Sequence, residues 1–472
     1  MKLSYRTSKI GLLASCMILL IMASCKDDFP QAPDSSGNET VLNSIKILNA
    51  GATGSTVLTG VVNEDEKTVS FPRIDPGTDF SKLKFEAQTS TGAKLEREVY
   101  PVSFEEGQSE KVIVVKVTNA PRFREYLVRL RLKVPVFGAD FTTGTTYDFT
   151  SNPLGSPIYE AFTGALTRAS GFDGQQVLIG HRTAPHILDV SDLKAGAINK
   201  KSLNMTGVPG TYSGTLVNGH SYLANLSGAN DASGLKIYHW ANPNAAPELI
   251  VNVTTIAGAG TTRYGDNFSA SLDSQGNGYF FLGNNAGNRV LRFSVTNYTT
   301  VSSPVSFAAP GVAAGSWSTY TKIGNTEEYL FTGHQAPIAL VSDGGTASFT
   351  MSGTNVPLIG SDARIVNFNG ERYLIVTTAA RSAGNFTNLM VYDITKGTTV
   401  KEALTNLNNL PTVTPVFNYS LMGPVNTSPS SQTGFYIRKD GQGNDETLML
   451  YSAASDAGFV FFEFGKKVAS DN

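Results

Sequence analysis

The sequence has few cysteines, and this excludes two sources of stability and chemistry. Only two occur among 472 residues, Cys16 and Cys25, and both lie at the amino-terminal end. A disulfide or a cysteine-ligated metal site is therefore excluded from the folded domains. We expect burial of apolar side chains to stabilise the fold, which a chain of this length can supply.

An excess of positive charge is also lacking. Lys and Arg total 37 against 39 Asp and Glu, and charged residues make up only 16% of the chain. Because no run of Lys or Arg is present, the sequence argues against nucleic acid as a partner.

Segments with a helical period are missing after the first 24 residues. The 46 glycines, together with abundant Thr, Ser, Asn, Val and Phe, are typical of an all-β protein. Short apolar runs separated by Gly, Asn and Asp turns support this interpretation.

One stretch, residues 319–351, shows the repeating unit. Two apolar runs, 328–333 and 337–341, are joined by a polar loop and flanked by two further predicted strands. The same layout recurs along the chain roughly every 45 to 60 residues, the range of four-stranded propeller blades. We predict a β-propeller of about six four-stranded blades over residues 156–467. A set of β-sandwich domains is the alternative.

Residues 1–24 have the pattern of a signal peptide. Basic residues precede an apolar run, 10–22, that is short for a membrane span. Residues 22–25, Met-Ala-Ser-Cys, resemble a bacterial lipobox, which implies cleavage before Cys25 and lipidation of its thiol. An ordinary cleavage site with an incidental cysteine is the alternative.

Residues 25–40 are interpreted as the lipidated cysteine and a flexible linker rich in Pro, Ser and Gly. Residues 26–28, Lys-Asp-Asp, resemble the export signal of Bacteroidetes surface lipoproteins. That resemblance implies attachment to the outer membrane, exposed at the cell surface. A charged tether in the periplasm is the alternative.

Residues 41–134 form a separate small domain of alternating strands. Its length and period-two pattern suit an immunoglobulin-like β-sandwich. The segments 72–83, 92–94, 117–119 and 126–128 resemble the Ig-like repeats of Bacteroidetes surface lipoproteins, which implies a spacer or binding platform. Residues 135–155 connect the domains, and we expect 137–141 to supply a strand that closes the propeller.

Blade topology predicts which side chains surround one mouth of the propeller. Loops between second and third strands, and links between blades, open on the same face. The candidate ligand-binding residues there are polar, planar or aromatic, as sugars require. They are His181, Arg182, Asn225, Arg263, Tyr264, Asn284, Trp317, His334 and Arg381.

Each of these residues also has a structural interpretation. The repeated Gly-His pairs at His181 and His334 can bond neighbouring backbone, and Trp317 can pack in the core. Arg263 and Arg381 can pair with Asp266 or Asp362 to join blades.

Catalytic and metal signals are weak. The usual hydrolase, metalloprotease and phosphate-loop motifs are missing, and no carboxylate pair stands out for glycoside hydrolysis. Residues 440–446 carry oxygen ligands for Ca²⁺ but depart from EF-hand spacing, so a solvated hairpin tip is the competing interpretation. We predict no resident cofactor or metal.

The combination of lipobox, Ig-like module and propeller resembles lipoproteins of Bacteroidetes glycan-utilisation systems. It implies a non-enzymatic protein that binds glycan at the propeller mouth, beside an outer-membrane importer. A polysaccharide lyase or hydrolase using the same face, and a protein-interaction scaffold, are the alternatives.

Overall fold

The computed structural model describes residues 37–468 except 106, 135, 151–158, 160–161, 163–165, 229–233, 257–261, 310–315 and 427–429. The chain divides into two compact units. Among the described residues, 37–134 belong to the first unit and 136–468 to the second. The predicted signal peptide and Cys25 lie outside the described residues.

The first unit contains eight strands and one short 3₁₀-helix, Phe80–Lys82. The strands are β1 (Leu42–Ala50), β2 (Thr56–Asn63), β3 (Thr68–Ser70), β4 (Leu83–Thr89), β5 (Lys94–Leu95), β6 (Val99–Tyr100), β7 (Glu110–Asn119) and β8 (Arg122–Arg131).

These strands form one hydrogen-bonded path in the order β5-β7-β8-β3-β2-β1-β4-β6, with β3 and β8 parallel. Ile45, Phe85 and Val117 lie on distant parts of this path yet share one buried core. The sheet therefore curves around its core as a half-barrel. This arrangement is all-β, as predicted, but it does not show the two separate sheets of an Ig-like sandwich.

The second unit contains six sheets, which we call blades 1 to 6. Blade 1 is β10 (Thr167–Phe172), β11 (Gln176–His181), β12 (His186–Asp189) and β13 (Lys201–Ser202). Blade 2 is β14 (Ser213–Val217), β15 (His220–Ala224), β16 (Leu235–Trp240) and β17 (Glu248–Val253). Blade 3 is β18 (Ser269–Leu272), β19 (Gly278–Gly283), β20 (Arg289–Thr296) and β21 (Thr300–Val301), with β22 (Val305–Ala308) also paired to β20.

The other three blades have the same antiparallel order. Blade 4 is β23 (Ser316–Lys322), β24 (Tyr329–His334), β25 (Ala339–Val341) and β26 (Ala347–Thr350). Blade 5 is β27 (Gly360–Phe368), β28 (Glu371–Thr378), β29 (Asn388–Asp393) and β30 (Phe417–Ser420). Blade 6 is β31 (Ser431–Lys439), β32 (Asp445–Ala454), β33 (Gly458–Gly465) and β9 (Thr145–Thr150). Two helices, α1 (Val190–Lys194) and α2 (Val400–Asn408), follow third strands.

The blades form a closed ring, which confirms the predicted six-bladed propeller. Each first strand contacts the first strand of the next blade, and β31 of blade 6 contacts β10 of blade 1. The closing strand is β9, which pairs antiparallel with β33. We expected this strand at residues 137–141, where only an isolated bridge from Ala139 to Lys466 forms. Closure joins the last blade to a segment about 310 residues earlier in the chain, so the ring has no free sheet edge there.

The hydrophobic cores lie between blades. Leu340 of blade 4 and Ile365 of blade 5 share one buried cluster, and each other adjacent pair of blades shares another. Aromatic rings stack across these interfaces, as Phe281 and Tyr320 do at 4.3 Å between centroids. Each such side chain contributes roughly 1.5–3 kcal/mol by burial, which is why a single blade depends on its neighbours.

No helix in the described part of the chain is long and apolar enough to span a membrane.

Candidate functional site

A channel of about 420 Å³ runs along the axis of the ring, lined by the first strands of the blades. These strands run side by side in the same direction. Thr319 of blade 4 donates to Asp362 of blade 5, and Gln432 of blade 6 donates to the backbone of Arg168 in blade 1. We call the end of the channel where the first strands begin the mouth.

Three first strands carry an irregularity at the mouth. Thr167 and Ala169 pair with His181 and Gly180, which leaves Arg168 as an extra residue in its strand. Blades 4 and 5 show the same shift, with Trp317 and Ser361 as the extra residues. A bulge of this kind redirects a side chain, and bulges are frequent beside binding sites.

Trp317 also has a strained backbone. Its φ is 51°, in the left-handed region that a bulky side chain rarely adopts. The side chain lines the channel, and the Arg381 guanidinium lies over its ring, 4.7 Å from the centroid. Strained residues cluster at ligand sites, and both residues were predicted to belong to one.

A second group of side chains lies at the mouth between blades 1, 2 and 3, and we call it the arginine cluster. It consists of Arg168, Arg182, Arg263, Tyr212 and Asp266. Arg263 binds Asp266 through two nitrogens at 3.0 and 3.2 Å, and Arg168 reaches the same carboxylate at 3.4 Å. Asp266 is only 3% exposed, so the pairing compensates for its burial.

Tyr212 organises the exposed side of the arginine cluster. The Arg182 guanidinium lies 4.5 Å from the centroid of its ring, and that of Arg168 lies at 5.7 Å. The backbone of Arg182 bonds to Leu166 and Thr211, which fixes the loop between β11 and β12 against the strands beside it. Arg182 itself remains exposed, so its charged group is available at the mouth.

Asp362 lies deeper in the channel and is 1% exposed. It accepts hydrogen bonds from the backbone N–H of Thr433 at 2.7 Å, the hydroxyl of Thr319 at 3.1 Å and the guanidinium of Arg364 at 3.4 Å. Burial raises the pKa of Asp362, and these three donors oppose that effect. Its contacts therefore join blades 4, 5 and 6.

Four of the predicted ligand-binding residues are buried and bond within the protein or pack in its core. Asn225 bonds Gly234 and Lys236, and Asn284 bonds Asn288 and its neighbours in a tight loop. Tyr264 is fully buried in the core between blades 2 and 3. His334 is also fully buried, and its Nε2 contacts the Ala379 carbonyl of blade 5 at 3.1 Å. We remove these four from the set that contacts ligand directly.

His181 is half-buried at the mouth, and its Nδ1 accepts hydrogen bonds from the backbone of Thr183 and Ala184. Burial and the nearby Lys200 lower the pKa of His181. The imidazole therefore stabilises its own loop as a neutral group.

The remaining potential metal ligands have other partners among the described residues. His186 bonds the Tyr159 hydroxyl at 2.6 Å, and no group of three His, Cys, Asp or Glu side chains there is arranged to hold an ion. In the loop 440–446, Asp440 accepts from the backbone of Gln442 and Asn444, as at an ordinary hairpin tip.

Sequence reasoning missed Arg168 and Tyr212. Arg168 begins an inner strand, where alternation alone gives no sign of function, and its orientation depends on the bulge. Tyr212 is the last residue of the link between blades 1 and 2. The only sequence feature that could have indicated it as a site residue is an aromatic ring within a predicted link between blades.

This geometry defines a six-bladed β-propeller with a polar channel whose mouth carries arginine and aromatic side chains. The chain belongs to the DUF4623 family, described as a domain of unknown function, which matches residues 27–467.

A crystal structure of a DUF4623 family protein from Bacteroides eggerthii is 38% identical, with a TM-score of 0.77. The match covers 92% of this chain and 100% of that one. BamB from Moraxella catarrhalis is 11% identical with a TM-score of 0.31, over 64% of this chain and 84% of its own. AztD from Citrobacter koseri is 11% identical with a TM-score of 0.30, over 60% and 89%. No curated protein matches this chain.

Proposed function

We propose that this protein is a non-enzymatic lipoprotein of the cell surface that binds glycan at the mouth of its propeller. The observation that carries the proposal is the strained, bulged Trp317, whose ring lines a polar channel of about 420 Å³. An aromatic ring among planar hydrogen-bond donors suits a sugar ring and its hydroxyl groups.

The proposed location rests on the sequence around Cys25. The Met-Ala-Ser-Cys-Lys-Asp-Asp segment resembles lipidation and surface-export signals of Bacteroidetes, and the relative from Bacteroides eggerthii agrees with such an origin. The first unit, with its Ig-like resemblance, would act as a spacer, and an outer-membrane importer is the expected neighbour.

The anchor has a direct test. In the native host, Cys25→Ala should move the protein from the membrane fraction to the soluble fraction, whereas Cys16→Ala should not. Membrane retention of the Cys25 variant would contradict the proposed anchor.

An enzymatic role receives less support from the channel carboxylates. Asp266 and Asp362 are nearly fully buried. Asp266 is bound by Arg168 and Arg263, and Asp362 is bound by Arg364 and two threonines. Burial raises the pKa of Asp362, as in many general acids. However, its bonds to three blades give this carboxylate a structural role.

Glycan binding is tested by electrophoresis of the chain from residue 26 through gels that contain a panel of polysaccharides. At least one should retard the protein, and Trp317→Ala should weaken that binding about tenfold, or about 1.4 kcal/mol. Phe123→Ala is the matched control because Phe123 also lies under a cation, Lys116 at 4.2 Å, but in the first unit.

The same incubations separate the alternatives. New reducing ends or unsaturated sugars would refute the non-enzymatic role. Failure to bind any glycan, together with stable co-purification of one membrane protein, would favour a scaffold.

A further inference from the structure

Two guanidinium groups at the mouth have no carboxylate partner among the residues that the structure describes. Arg182 is exposed and lies over Tyr212, and Arg381 lies over Trp317. Neither forms an ion pair with any carboxylate in the part of the chain that the structure describes. Both groups are nevertheless held in place by an aromatic face.

Another arginine that lies beside an aromatic ring of this propeller, Arg292, is different. Arg292 lies 4.8 Å from the centroid of the Tyr279 ring and also forms an ion pair with Asp343. The ring contact there accompanies an ordinary pair. Arg182 and Arg381 at the mouth also contact an aromatic ring, but neither has a carboxylate partner among the described residues.

The rest of the arginine cluster adds positive charge. Arg168 and Arg263 share Asp266, and Arg182 lies beside them over the Tyr212 ring. Burial lowers the pKa of the Arg168 guanidinium; Asp266 opposes this, and the charges of Arg263 and Arg182 add to it. An anion bound to Arg182 would also interact favourably with these neighbouring guanidinium groups.

The groups are distributed around the mouth. Arg168 and Arg182 belong to blade 1, Arg263 to the link between blades 2 and 3, and Arg381 to blade 5. This spacing suits a polymer that carries repeated charges better than one small anion. Guanidinium groups bind carboxylate and sulfate through paired hydrogen bonds.

We propose that the ligand is an acidic glycan, whose carboxylate or sulfate groups bind Arg182, Arg381 and the arginine cluster. This inference rests on the proposed glycan-binding function and specifies its substrate class. The aromatic faces orient the guanidinium groups, and the acidic sugars supply the missing negative charge.

The test compares charged and uncharged polymers, of which polygalacturonate and its methyl ester have the same backbone. Retardation of the chain from residue 26 is measured in gels containing polygalacturonate, the same polymer fully methyl-esterified, chondroitin sulfate, neutral galactan and polyglutamate. We expect binding to polygalacturonate or chondroitin sulfate and at least about tenfold weaker binding to the methyl ester. Binding should weaken with added salt because the contacts are near the surface.

Arg182→Gln and Arg381→Gln should each weaken acidic-glycan binding about five- to tenfold. This is the low end of the effect of a charged hydrogen bond, because contacts near the surface are screened by solvent. Arg438→Gln is the control. It removes the same charge from the opposite end of the ring, where Arg438 is paired with Glu446, and it should leave binding unchanged.

Each outcome has a distinct meaning. Equal binding to the methyl ester or galactan, unaffected by Arg182→Gln, would overturn the acidic-glycan inference and leave glycan binding intact. Equal binding to polyglutamate would retain an anion site but refute its specificity for glycan. If no polymer binds, both proposals fail.

Discussion

Removal of one buried carboxylate should weaken the junction of three blades. Asp362 accepts from Thr433 of blade 6, Thr319 of blade 4 and Arg364 of its own strand, and is 1% exposed. In Asp362→Ala, the buried Thr433 N–H loses its acceptor. Thr319 retains the Ser361 carbonyl as a partner, so its hydroxyl stays satisfied.

The expected loss of stability follows from what happens to each of these hydrogen-bonding groups. An orphaned buried N–H costs roughly 1–3 kcal/mol, and the loss of a buried ion-pair partner costs roughly 3–5 kcal/mol. Arg364 is 27% exposed and can be hydrated, and the variant no longer buries a carboxylate. We therefore expect a decrease of about 3 kcal/mol in the free energy of unfolding at neutral pH.

The variant should also change the pH dependence of stability. Burial raises the pKa of Asp362 above its ordinary value of 3.8, so the folded state holds the proton more firmly than the unfolded state. The stability contributed by this group therefore falls as pH rises above 3.8. The difference in the free energy of unfolding between wild type and Asp362→Ala should therefore become smaller as the pH rises above 3.8.

Urea unfolding monitored by tryptophan fluorescence can measure this effect in the propeller alone. The chain has two tryptophans, Trp240 and Trp317, and both lie in the second unit. Asp343→Ala is the matched control because Asp343 also pairs with an arginine but is 38% exposed. It should cost at most about 1 kcal/mol. If Asp362→Ala costs no more than Asp343→Ala, the proposed inter-blade role is refuted.

Three further predictions concern turns and ring closure. Gly174→Ala should destabilise the propeller by more than 1 kcal/mol, since the φ of Gly174 is +89° and a Cβ would lie 2.1 Å from the Tyr436 ring. Gly196→Ala is the control, because Gly196 has a φ of +76° but open space around it, and its loss of stability in chemical denaturation should be smaller. Threonine hydroxyls lower the pKa of Asp140 from 3.8 to about 2. Asp140→Asn should therefore have a lower melting temperature than wild type above pH 3.8, and this difference should become smaller as the pH falls toward 2. A chain that begins after β9 should leave β33 as an open edge and aggregate on size-exclusion chromatography, whereas one that begins at residue 136 should remain monodisperse.

The propeller was predictable because its signal is local and repeated. The apolar run predicted at 328–333 corresponds to β24, which is buried along its whole length. Such runs recur once per blade, and their period suffices to predict the ring. The closing strand was predicted in the wrong place because β9 pairs with β33, which is distant in the sequence. The apolar side chains of β9 that pack on β33 are only those of Tyr147 and Phe149, so its local pattern is weak.

The two Gly-His pairs show why burial at the site was less predictable. His181 and His334 occupy equivalent ends of second strands, yet His181 is half-buried in its own loop and His334 is fully buried against blade 5. Strand order determines which end of the ring a residue occupies. Contacts from the next blade, which no local pattern reveals, determine whether its side chain reaches solvent.

The same distinction explains why charge is more informative here than residue type. Arg263 and Arg182 were both predicted at the mouth. Arg263 is bound by Asp266, whereas Arg182 lies on Tyr212 and pairs with no carboxylate of the described residues. A sequence shows the arginines and cannot show which of them remain unneutralised. Since an unpaired guanidinium held by an aromatic face is already oriented for an anion, the ligand needs to supply only the opposite charge. The unpaired groups, more than the number of polar residues at the mouth, therefore determine the class of glycan that we expect to bind.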